Sequence, residues 1–416
     1  MVSSQDDLWI VLPHLGPGGA QKVALLAAAH FMARGWRVRV VTLLAEPSLA
    51  HRLPEGLPWS DLSPEVDALW TETKKRPYEH RLHRVLAKLV MSVSPWLLEP
   101  VQPGVSSWRS TLLLWCIEGI SGPPSHVIGK YLKRHSPRRV LAMLSRTNML
   151  CCSALWNQSG RLVVSERNDL RLQRLPFPWP GFRRLLYRRA DVITANTVGV
   201  LESLKPLFGD RQLSLLPNPL PLPKQVREAA QVATPSNQSG AGLVTVARLV
   251  HQKGLDVLIE ALALASGAAS SWSLTLVGDG PERQALEHQV SQLELAGRVS
   301  FMGFRSDPET FLQASSVFVL PSRFEGMPNA LLEAMGAGMA VVVSDASPGP
   351  LEVVEHDVTG LVVTKEDPSA LATALDRLAG DADLRARLGQ SARSRLRKMD
   401  WSVVGPIWDA LVEGPG

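Results

Sequence analysis

The chain is poor in cysteine and contains no long apolar run. Only three of its 416 residues are cysteine, too few for the disulfide framework on which small secreted proteins depend. No apolar stretch reaches the roughly 18 residues that a membrane-spanning helix needs. The first residues also lack the basic stretch and apolar core of a secretory signal peptide. We therefore expect a cytoplasmic protein that has, at most, peripheral contact with the inner face of the cytoplasmic membrane.

Recognisable metal-binding motifs are missing as well. The sequence contains no cluster of histidines and cysteines with the spacing of metal ligands, and no metal-binding DxD motif placed in a loop. We therefore expect a protein that works without a metal ion and without a bound cofactor.

Positive charge is concentrated in the first half of the chain. Residues 1–216 carry 28 lysines and arginines against 16 aspartates and glutamates, whereas the remaining residues carry 16 against 23. A basic residue near an anionic membrane contributes roughly 1 kcal/mol to binding. We see no nucleic-acid recognition motif and no interleaving of aromatic and basic residues, so we expect no nucleic-acid partner. Two interpretations stay open: an anionic membrane surface as partner, or a basic face that is merely solvated.

Short apolar strands alternate with helical stretches along most of the chain. The pattern predicts strands at 8–12, 37–43, 139–144, 161–164, 242–246, 273–277, 299–304 and 317–320. Strands that alternate with helices build parallel sheets, so we predict two open α/β domains, at 1–216 and 242–398. The Pro-, Gln- and Ser-rich stretch 217–241 is typical of a linker. A final helix is expected in 399–416.

Charged side chains follow two predicted strands of the second half. Arg248 and Lys253 come after strand 242–246, and two cations in one loop can bind a diphosphate, whose charge grows as it leaves. Glu325 comes after strand 317–320, and Glu333 lies two helical turns further on. Carboxylates bind sugar hydroxyls, and the N-terminus of the helix between these glutamates offers N–H groups to a phosphate. A nucleotide-sugar could use both features at once.

The first half has comparable features. A glycine-rich turn at 14–19 follows the first strand and would let the backbone approach a ligand closely. Polar clusters follow strands 139–144 and 161–164, at the edge where open α/β sheets bind ligands. The candidate residues in these stretches are Gly18, Gly19, Asn148, Arg167 and Asn168.

The stretch 78–93 predicts an amphipathic helix. Its apolar face is formed by Leu82, Val85, Leu86, Leu89 and Val90. Two interpretations of this face stay open: it packs on the domain, or it faces a membrane and helps to bind a membrane-linked substrate there.

Two stretches resemble a known family. Residues 322–345, SRFEGMPNALLEAMGAGMAVVVSD, are similar to the donor-site signature of glycosyltransferase family 4, the retaining GT-B enzymes that use nucleotide-sugars. Residues 246–262, VARLVHQKGLDVLIEAL, resemble the diphosphate loop of that family, and the turn at 14–19 lies where the family has a GGAE-like loop. The resemblance implies the GT-B fold, in which two Rossmann-like, doubly wound parallel-sheet domains face a cleft. It also implies that the last helix crosses back to the first domain.

The resemblance assigns roles to individual residues. Glu325 would hold hydroxyls of the transferred sugar, and Arg248 and Lys253 would hold the diphosphate, so these three are the catalytic candidates. Glu333 would hold the ribose hydroxyls. The remaining donor contacts would come from Gly18, Gly19, Gly278, Gly326, Met327 and Asn329. The acceptor would lie near Asn148, Arg167 and Asn168.

The implied function is retaining transfer of a hexose-type sugar from a nucleotide-sugar, preferably a UDP-sugar, to a glycan or polyprenyl-linked saccharide in polysaccharide synthesis. The sequence departs from the family pattern at three places. Gln21 replaces the usual acidic residue, Leu351 replaces a common arginine, and no histidine follows strands 139–144 and 161–164. These departures leave open a non-catalytic subunit that binds a nucleotide-sugar. A second alternative, a GT-B sugar-nucleotide epimerase, also stays open.

Overall fold

The computed structural model describes residues 6–46, 49–75, 77–93, 101–173, 175–209, 213–220 and 242–414. The chain divides into two compact units. The first consists of Met1–Asn196, Val200–Leu216 and Gly405–Gly416, and the second consists of Thr197–Gly199 and Pro217–Val404. Most of the predicted linker 217–241 lies outside the described residues. The last helix begins in the second unit and continues into the residues of the first.

The first unit is built on a seven-stranded sheet. Its strands are β1 (Leu8–Leu12), β2 (Val38–Thr42), β3 (Trp59–Asp61), β4 (Arg139–Met143), β5 (Arg161–Glu166), β6 (Val192–Ala195) and β7 (Leu213–Leu215). Their order is β3-β2-β1-β4-β5-β6-β7, and all neighbours are parallel. Strands β1, β4 and β5 are apolar runs that are buried over nearly their whole length. This is the pattern of strands that helices cover on both faces.

Helices connect these strands. They are α1 (Gly19–Ala33), α2 (Ser63–Lys75), α3 (Pro77–Val93), α4 (Trp108–Ser121), α5 (Pro123–His135), α6 (Ser145–Ala154), α7 (Trp179–Leu186) and α8 (Val198–Phe208). Proline occupies the first turn of α5 and of α7, where its missing N–H breaks no helical hydrogen bond. Their apolar side chains join those of the strands in a core that includes Leu113, Ile128, Trp156 and Phe182.

The second unit is built on a six-stranded sheet. Its strands are β8 (Gly242–Val246), β9 (Ser273–Val277), β10 (Val299–Gly303), β11 (Val317–Leu320), β12 (Ala340–Ser344) and β13 (Leu361–Val363). Their order is β10-β9-β8-β11-β12-β13, again all parallel. The helices are α9 (Leu255–Leu264), α10 (Arg283–Gln292), α11 (Pro308–Gln313), α12 (Asn329–Gly336), α13 (Pro348–Leu351), α14 (Pro368–Gly380), α15 (Ala382–Arg395) and α16 (Trp401–Glu413). Successive side chains of a strand point to opposite faces of the sheet. One apolar cluster includes Val317 and Val319 of β11, and a second includes Phe318 and Leu320.

Both sheets have the same topology. The chain adds three strands outward in one direction and then returns to the other side of the first strand. The order reverses between β1 and β4 in the first unit, and between β8 and β11 in the second. At such a switch point the following helices lie on opposite faces of the sheet, which leaves a crevice at the carboxyl ends of the two strands. The predicted fold class of two doubly wound parallel-sheet domains is confirmed.

Helix α3 has two apolar faces. Ala87 and Met91 are buried in the core of the first unit, whereas Leu82, Val85, Leu86 and Leu89 of the predicted apolar face are 42–59 % exposed. The predicted apolar face is therefore divided: Val90 packs against the core beside Ala87 and Met91, whereas its other four residues are exposed. None of the helices within the described ranges is long and apolar enough to span a membrane.

Candidate functional site

Two loops lie side by side at the switch point of the second sheet. One follows β8 and contains Arg248 and Lys253, and the other follows β11 and contains Glu325. Strands β8 and β11 are hydrogen-bonded neighbours, so both loops leave the same edge of the sheet. The Arg323 N–H donates to the Gln252 carbonyl at 2.8 Å, and the Gln252 side-chain amide donates to the Phe324 carbonyl at 2.9 Å. These bonds join the two loops into one structure.

Glu325 and Lys253 form an ion pair in this crevice. Lys253 Nζ lies 2.5 Å from Glu325 Oε1, and the two side chains are only 16 % and 7 % exposed. The Ser322 hydroxyl donates to the same oxygen at 2.7 Å, and the Glu325 N–H donates to Ser347 Oγ at 2.9 Å. No described residue donates a hydrogen bond to Glu325 Oε2. The carboxylate is therefore fixed through one oxygen and can accept a ligand hydroxyl with the other.

Arg248 belongs to the loop after β8, as Lys253 does, and its side chain is exposed. Its guanidinium makes no hydrogen bond or ion pair with any residue that the structure describes. The crevice therefore contains one cation that is paired with a carboxylate and one that is open to an anionic ligand. Within the described ranges, no group of three or more His, Cys, Asp or Glu side chains is arranged to hold a metal ion.

Arg323 was missed by the sequence analysis and is the main brace between the two loops. Its guanidinium forms a bidentate pair with the Asp256 carboxylate at 2.9 and 2.8 Å and also donates to the His251 carbonyl and to Glu366. Burial raises the pKa of Asp256, but the hydrogen bonds and charge of Arg323 outweigh it and lower that pKa. The same hydrogen bonds raise the pKa of Arg323. Arg323 thereby ties the loop that carries Glu325 to the loop that carries Lys253.

Glycines allow further loops to approach this crevice. Gly254 has a φ of +61°, and a Cβ there would overlap the Pro321 carbonyl of the neighbouring loop. Gly278, after β9, has a φ of +144°, and a Cβ there would overlap the Ala247 carbonyl next to Arg248. Only glycine adopts these conformations without strain and leaves room for the facing backbone. The structure thus brings Gly278 against the loop of Arg248, as a backbone spacer.

The segment 326–329 is held from a distant part of the sequence. The Asn218 amide donates to the Met327 carbonyl at 3.1 Å and to Asn329 Oδ1 at 2.7 Å. A Cβ at Gly349 would overlap the Gly326 carbonyl, so the segment around Leu351, on which the sequence analysis placed no role, packs directly behind this turn. The turn leads into the N-terminus of α12, and Glu333 is half-buried on that helix. Gly326, Met327, Asn329 and Glu333 therefore belong to one continuous segment with Glu325.

The remaining candidates lie in the first unit. Gly18 and Gly19 form the start of α1 after β1. A Cβ at Gly18 would overlap the Gln21 side-chain amide, which is buried and folded back over the turn. The His51 ring lies within hydrogen-bonding distance of the Gly18 carbonyl, at 3.1 Å. Gln21 therefore contributes to the shape of this turn rather than placing a charge in it.

Asn148 has no exposed surface. Its amide donates to the Ser165 carbonyl and to the Tyr187 hydroxyl, each at 3.0 Å. Tyr187 in turn donates to Glu166, and the Ser145 hydroxyl donates to the other oxygen of that carboxylate at 2.6 Å. Burial raises the pKa of Glu166. This network lies at the carboxyl ends of β4 and β5, and in it Asn148 joins strand and helix rather than facing solvent.

Arg167 and Asn168 follow β5. Arg167 is 7 % exposed, and burial lowers its pKa to about 9. Asn168 is half-buried. Asp169 is buried and forms a bidentate pair with Arg171. Of the acceptor candidates, Asn168 is the more exposed, and Arg167 and Asn148 lie largely or wholly inside the unit.

Comparison with known proteins gives the family. The model of the group 1 glycosyl transferases matches residues 226–395. The lipopolysaccharide core biosynthesis glycosyltransferase LpsE of Rhizobium meliloti is 33 % identical over 265 residues, which cover 64 % of this chain and 72 % of LpsE. A Campylobacter jejuni N-acetylgalactosaminyltransferase, whose name gives an undecaprenol-diphosphate-linked saccharide as its acceptor, is 26 % identical over 289 residues, 68 % of this chain and 76 % of that enzyme.

A solved structure shares the fold. The structure of Anabaena Alr3699/HepE in complex with UDP and glucose matches with a TM-score of 0.72 at 18 % identity, covering 99 % of this chain and all of that one. The match with LpsE is high enough in identity and coverage to establish kinship. The chain belongs to the group 1 glycosyltransferases.

Proposed function

We propose that this protein transfers a hexose-type sugar from a UDP-sugar to a glycan or lipid-linked saccharide, with retention at the anomeric carbon, in the synthesis of a bacterial-type polysaccharide or lipopolysaccharide. The proposal rests on the crevice at the carboxyl ends of β8 and β11, which contains both the Lys253–Glu325 pair and the unpaired Arg248. The names of the lipopolysaccharide and undecaprenol-linked relatives support the pathway. The UDP and glucose of the HepE complex support the donor.

The two cations suit a diphosphate leaving group. As the bond between the anomeric carbon and the phosphate oxygen breaks, negative charge builds up on the diphosphate, and preorganised cations stabilise that charge most in the transition state. Arg248 has its full set of donors available, and Lys253 has three donors, of which Glu325 uses one. Both residues can therefore bind the leaving group while Lys253 keeps Glu325 in place.

Glu325 suits the transferred sugar. Its free oxygen, Oε2, can accept a hydroxyl hydrogen, while Lys253 and Ser322 fix the other oxygen. Because one side chain holds the phosphate and its direct partner holds the sugar, the ion pair spans the bond that breaks. Glu333 would bind the ribose hydroxyls. The backbone of 326–329 and the N-terminus of α12 would bind sugar and phosphate oxygens.

The proposed chemical step is a front-face displacement. The acceptor oxygen forms the new bond to the anomeric carbon on the face that the diphosphate leaves, and the departing phosphate oxygen takes the acceptor proton. We further propose that the reaction is independent of divalent metal, since Arg248 and Lys253 supply the positive charge that a metal would otherwise provide.

A binding and transfer experiment tests this function. The purified chain is screened by thermal shift against UDP-, GDP- and ADP-sugars with and without EDTA, and the binding donors are then offered with short polyprenyl-diphosphate saccharides. A ligand at one hundred times its Kd stabilises the native state by about 2.7 kcal/mol, so we expect a clear rise in Tm with UDP-sugars that EDTA leaves unchanged. Product NMR should show the anomeric configuration of the donor.

The matched control is an exposed arginine elsewhere in the second unit. Arg248→Met should greatly reduce the Tm rise, whereas Arg393→Met, on α15, should keep it. Donor binding without transfer to any acceptor would favour a nucleotide-sugar-binding subunit. Conversion of the free donor without an acceptor would favour an epimerase. The absence of a response to every nucleotide-sugar would remove the proposed donor site.

We also propose that the protein docks on an anionic membrane through α3. Tyr78, Leu82, Val85 and Leu89 recur every three or four residues and form one exposed stripe, with Tyr78 84 % exposed. Basic side chains lie along one side of the stripe, at Arg81, Arg84 and Lys88, and at the end of the preceding helix, at Lys74 and Lys75, and none forms an ion pair or hydrogen bond with a described residue. An apolar stripe beside unpaired cations is the pattern of a helix that lies in a lipid–water interface. In a dimer formed through the same face, these cations would repel one another.

Vesicle flotation tests the docking surface. We expect binding to vesicles that contain phosphatidylglycerol and little binding to pure phosphatidylcholine. The variant Leu82→Gln/Leu89→Gln should weaken binding at least tenfold, because each buried leucine contributes about 1.5–3 kcal/mol. Leu264→Gln, at an equally exposed leucine on α9, is the control. Unchanged flotation of the double variant, or dimerisation through this face by light scattering, would contradict the proposal.

A further inference from the structure

Arg183 is a buried cation that forms no side-chain hydrogen bond with a described residue. It lies on α7 and is 5 % exposed. Its Nε and Nη1 are inaccessible to solvent and have no hydrogen-bond partner among the described residues. Burying a guanidinium without hydrogen bonds or a counter-ion is strongly unfavourable. The cost of burying this guanidinium needs a compensating interaction, and an anion that binds from outside the chain would provide one.

Arg183 lies one helical turn from a contact between α7 and the start of α6. Trp179, four residues earlier on α7, lies on the same side of that helix as Arg183. The guanidinium of Arg146, in the first turn of α6, lies 5.1 Å from the centroid of the Trp179 ring. Trp179 thus marks where α7 touches the start of α6, and Arg183 lies one turn along the same face.

Glu166 links the same two helices. Its pKa is raised by burial, and the charge of Arg183 opposes that rise, so the guanidinium acts on this carboxylate. Ser145, the first residue of α6, donates to one Glu166 oxygen, and Tyr187 donates to the other. Hydroxyls therefore occupy both carboxylate oxygens, and Glu166 forms no ion pair with Arg183. The internal carboxylate lies near Arg183 but does not satisfy it.

The N-terminus of α6 adds donors at this place. The helix is ten residues long, and its N-cap residue, Leu144, has a φ of 77° and provides no side-chain cap. Arg146 is exposed and makes no hydrogen bond with a described residue. Arg167, directly after Glu166, adds a third guanidinium to this edge of the sheet. Because α6 follows β4, the cluster lies at the switch point of the first sheet, where doubly wound folds bind ligands.

We infer that the first unit carries an oxyanion site, formed by Arg183, Arg146 and the N-terminus of α6, which takes a phosphate or carboxylate group of the acceptor. The exposed guanidinium of Arg146 can bind either group through two parallel hydrogen bonds, the buried charge of Arg183 attracts both, and helix N–H groups add to the binding. The inference rests on the proposed transferase function and assigns it an anionic acceptor.

Isothermal titration of anions into the full-length chain tests this site. The background variant Arg248→Met/Lys253→Met removes the donor-side cations, so anions report on the first unit. We expect inorganic phosphate or glucuronate to bind saturably. Arg183→Met should weaken binding at least tenfold, because it removes a positive charge that attracts the anion. Arg184→Met, at the exposed neighbouring position, should leave the affinity unchanged.

The two anions distinguish two sources of the group. Binding of phosphate alone assigns a phosphate-bearing acceptor, and binding of glucuronate alone assigns an acidic sugar. If Arg183→Met does not fold, Arg183→Lys keeps the charge without the planar fork and should still bind more weakly than the background. The inference is overturned if neither anion binds, or if the Arg183 variants bind as the background does. These outcomes leave the donor site untouched, because the background lacks its cations.

Discussion

The two sheets of this protein share one strand order and differ in what they place at the switch point. In the second unit, charged side chains lie in loops at the edge of the sheet, where Arg248 is exposed and Lys253 is 16 % exposed. In the first unit, Glu166, Arg167 and Arg183 are buried near the corresponding edge, whereas Arg146 is exposed. Topology therefore determines where a ligand can bind, and burial determines how freely the side chains can exchange partners.

This contrast has an energetic side. The Lys253–Glu325 pair is largely buried, but one carboxylate oxygen and two lysine N–H donors remain free, so it can bind a ligand without being broken. A buried network resists change, because removal of one partner leaves another polar group unsatisfied. We expect changes to the Lys253–Glu325 pair to affect turnover more than stability, and changes to the Glu166 network to do the reverse.

The largest effect is expected at the ion pair of the second unit. Lys253→Met and Glu325→Gln should each lower kcat/KM by about 100- to 1000-fold, the usual effect of removing one preorganised group that stabilises a transition state. Steady-state kinetics with the preferred donor measures this. The double variant should lose little more than either single variant, since the two side chains act as one unit. A loss below tenfold in both single variants would contradict the assignment.

An intermediate effect is expected at Arg323, which positions the pair without touching substrate. Arg323→Met should lower kcat about 10- to 100-fold and change the donor KM little, because small displacements of reacting groups reduce rate strongly. Asp256→Asn should cause a similar loss. Arg283→Met is the matched control, since Arg283 also pairs with two carboxylates but at an exposed position after β9, and it should retain activity within twofold. A rise in KM alone, or an unchanged kcat, would refute the positioning role.

The smallest effect is expected at Glu166 in the first unit. Its pKa is raised in the folded protein above the ordinary value of 4.5, so between these two pKa values the folded state holds a proton that the unfolded chain has released. Wild-type stability should therefore fall as pH rises through this window. Glu166→Gln has no such proton, so its Tm should rise relative to that of wild type as the pH increases above 4.5.

Thermal unfolding of both proteins across this pH range measures the difference in Tm. The contributions of groups that titrate in both proteins cancel in that difference. A pH-independent difference would show that Glu166 keeps an ordinary pKa. The activity of Glu166→Gln should change less than that of the Arg323 variants. If it falls as far as that of Lys253→Met, the contrast between the two units would not hold.

The strands of the second unit could be predicted almost to the residue. Predictions at 242–246, 273–277 and 317–320 agree with β8, β9 and β11, because buried parallel strands are continuous apolar runs bounded by turn residues. Prediction failed in the region 46–137. Strand β3 is short and mostly exposed, and α4 carries apolar residues all around its axis, so neither shows a clear periodicity.

The site was predicted in part for a related reason. Glu325 and Lys253 stand at strand ends that the sequence shows, and the neighbouring strands bring them together. Arg323, Asn218 and Ser347 act through partners 22 to 111 residues away, and no local pattern reveals such pairs. One signal was available for Arg323, since a charged residue beside a candidate carboxylate must either be solvated or find a counter-ion.

The glycines at the close loop contacts around the crevice of the second unit have a consequence for protein engineering. Because Gly254, Gly278 and Gly349 each face a backbone carbonyl of a neighbouring loop, the loops cannot be lengthened, exchanged or given side chains at these points independently of one another. Donor preference should therefore be altered by changing side chains on a constant backbone. Libraries that vary Met327 and Asn329 and keep all three glycines should retain folded members, whereas libraries that transplant a whole loop from a relative should not.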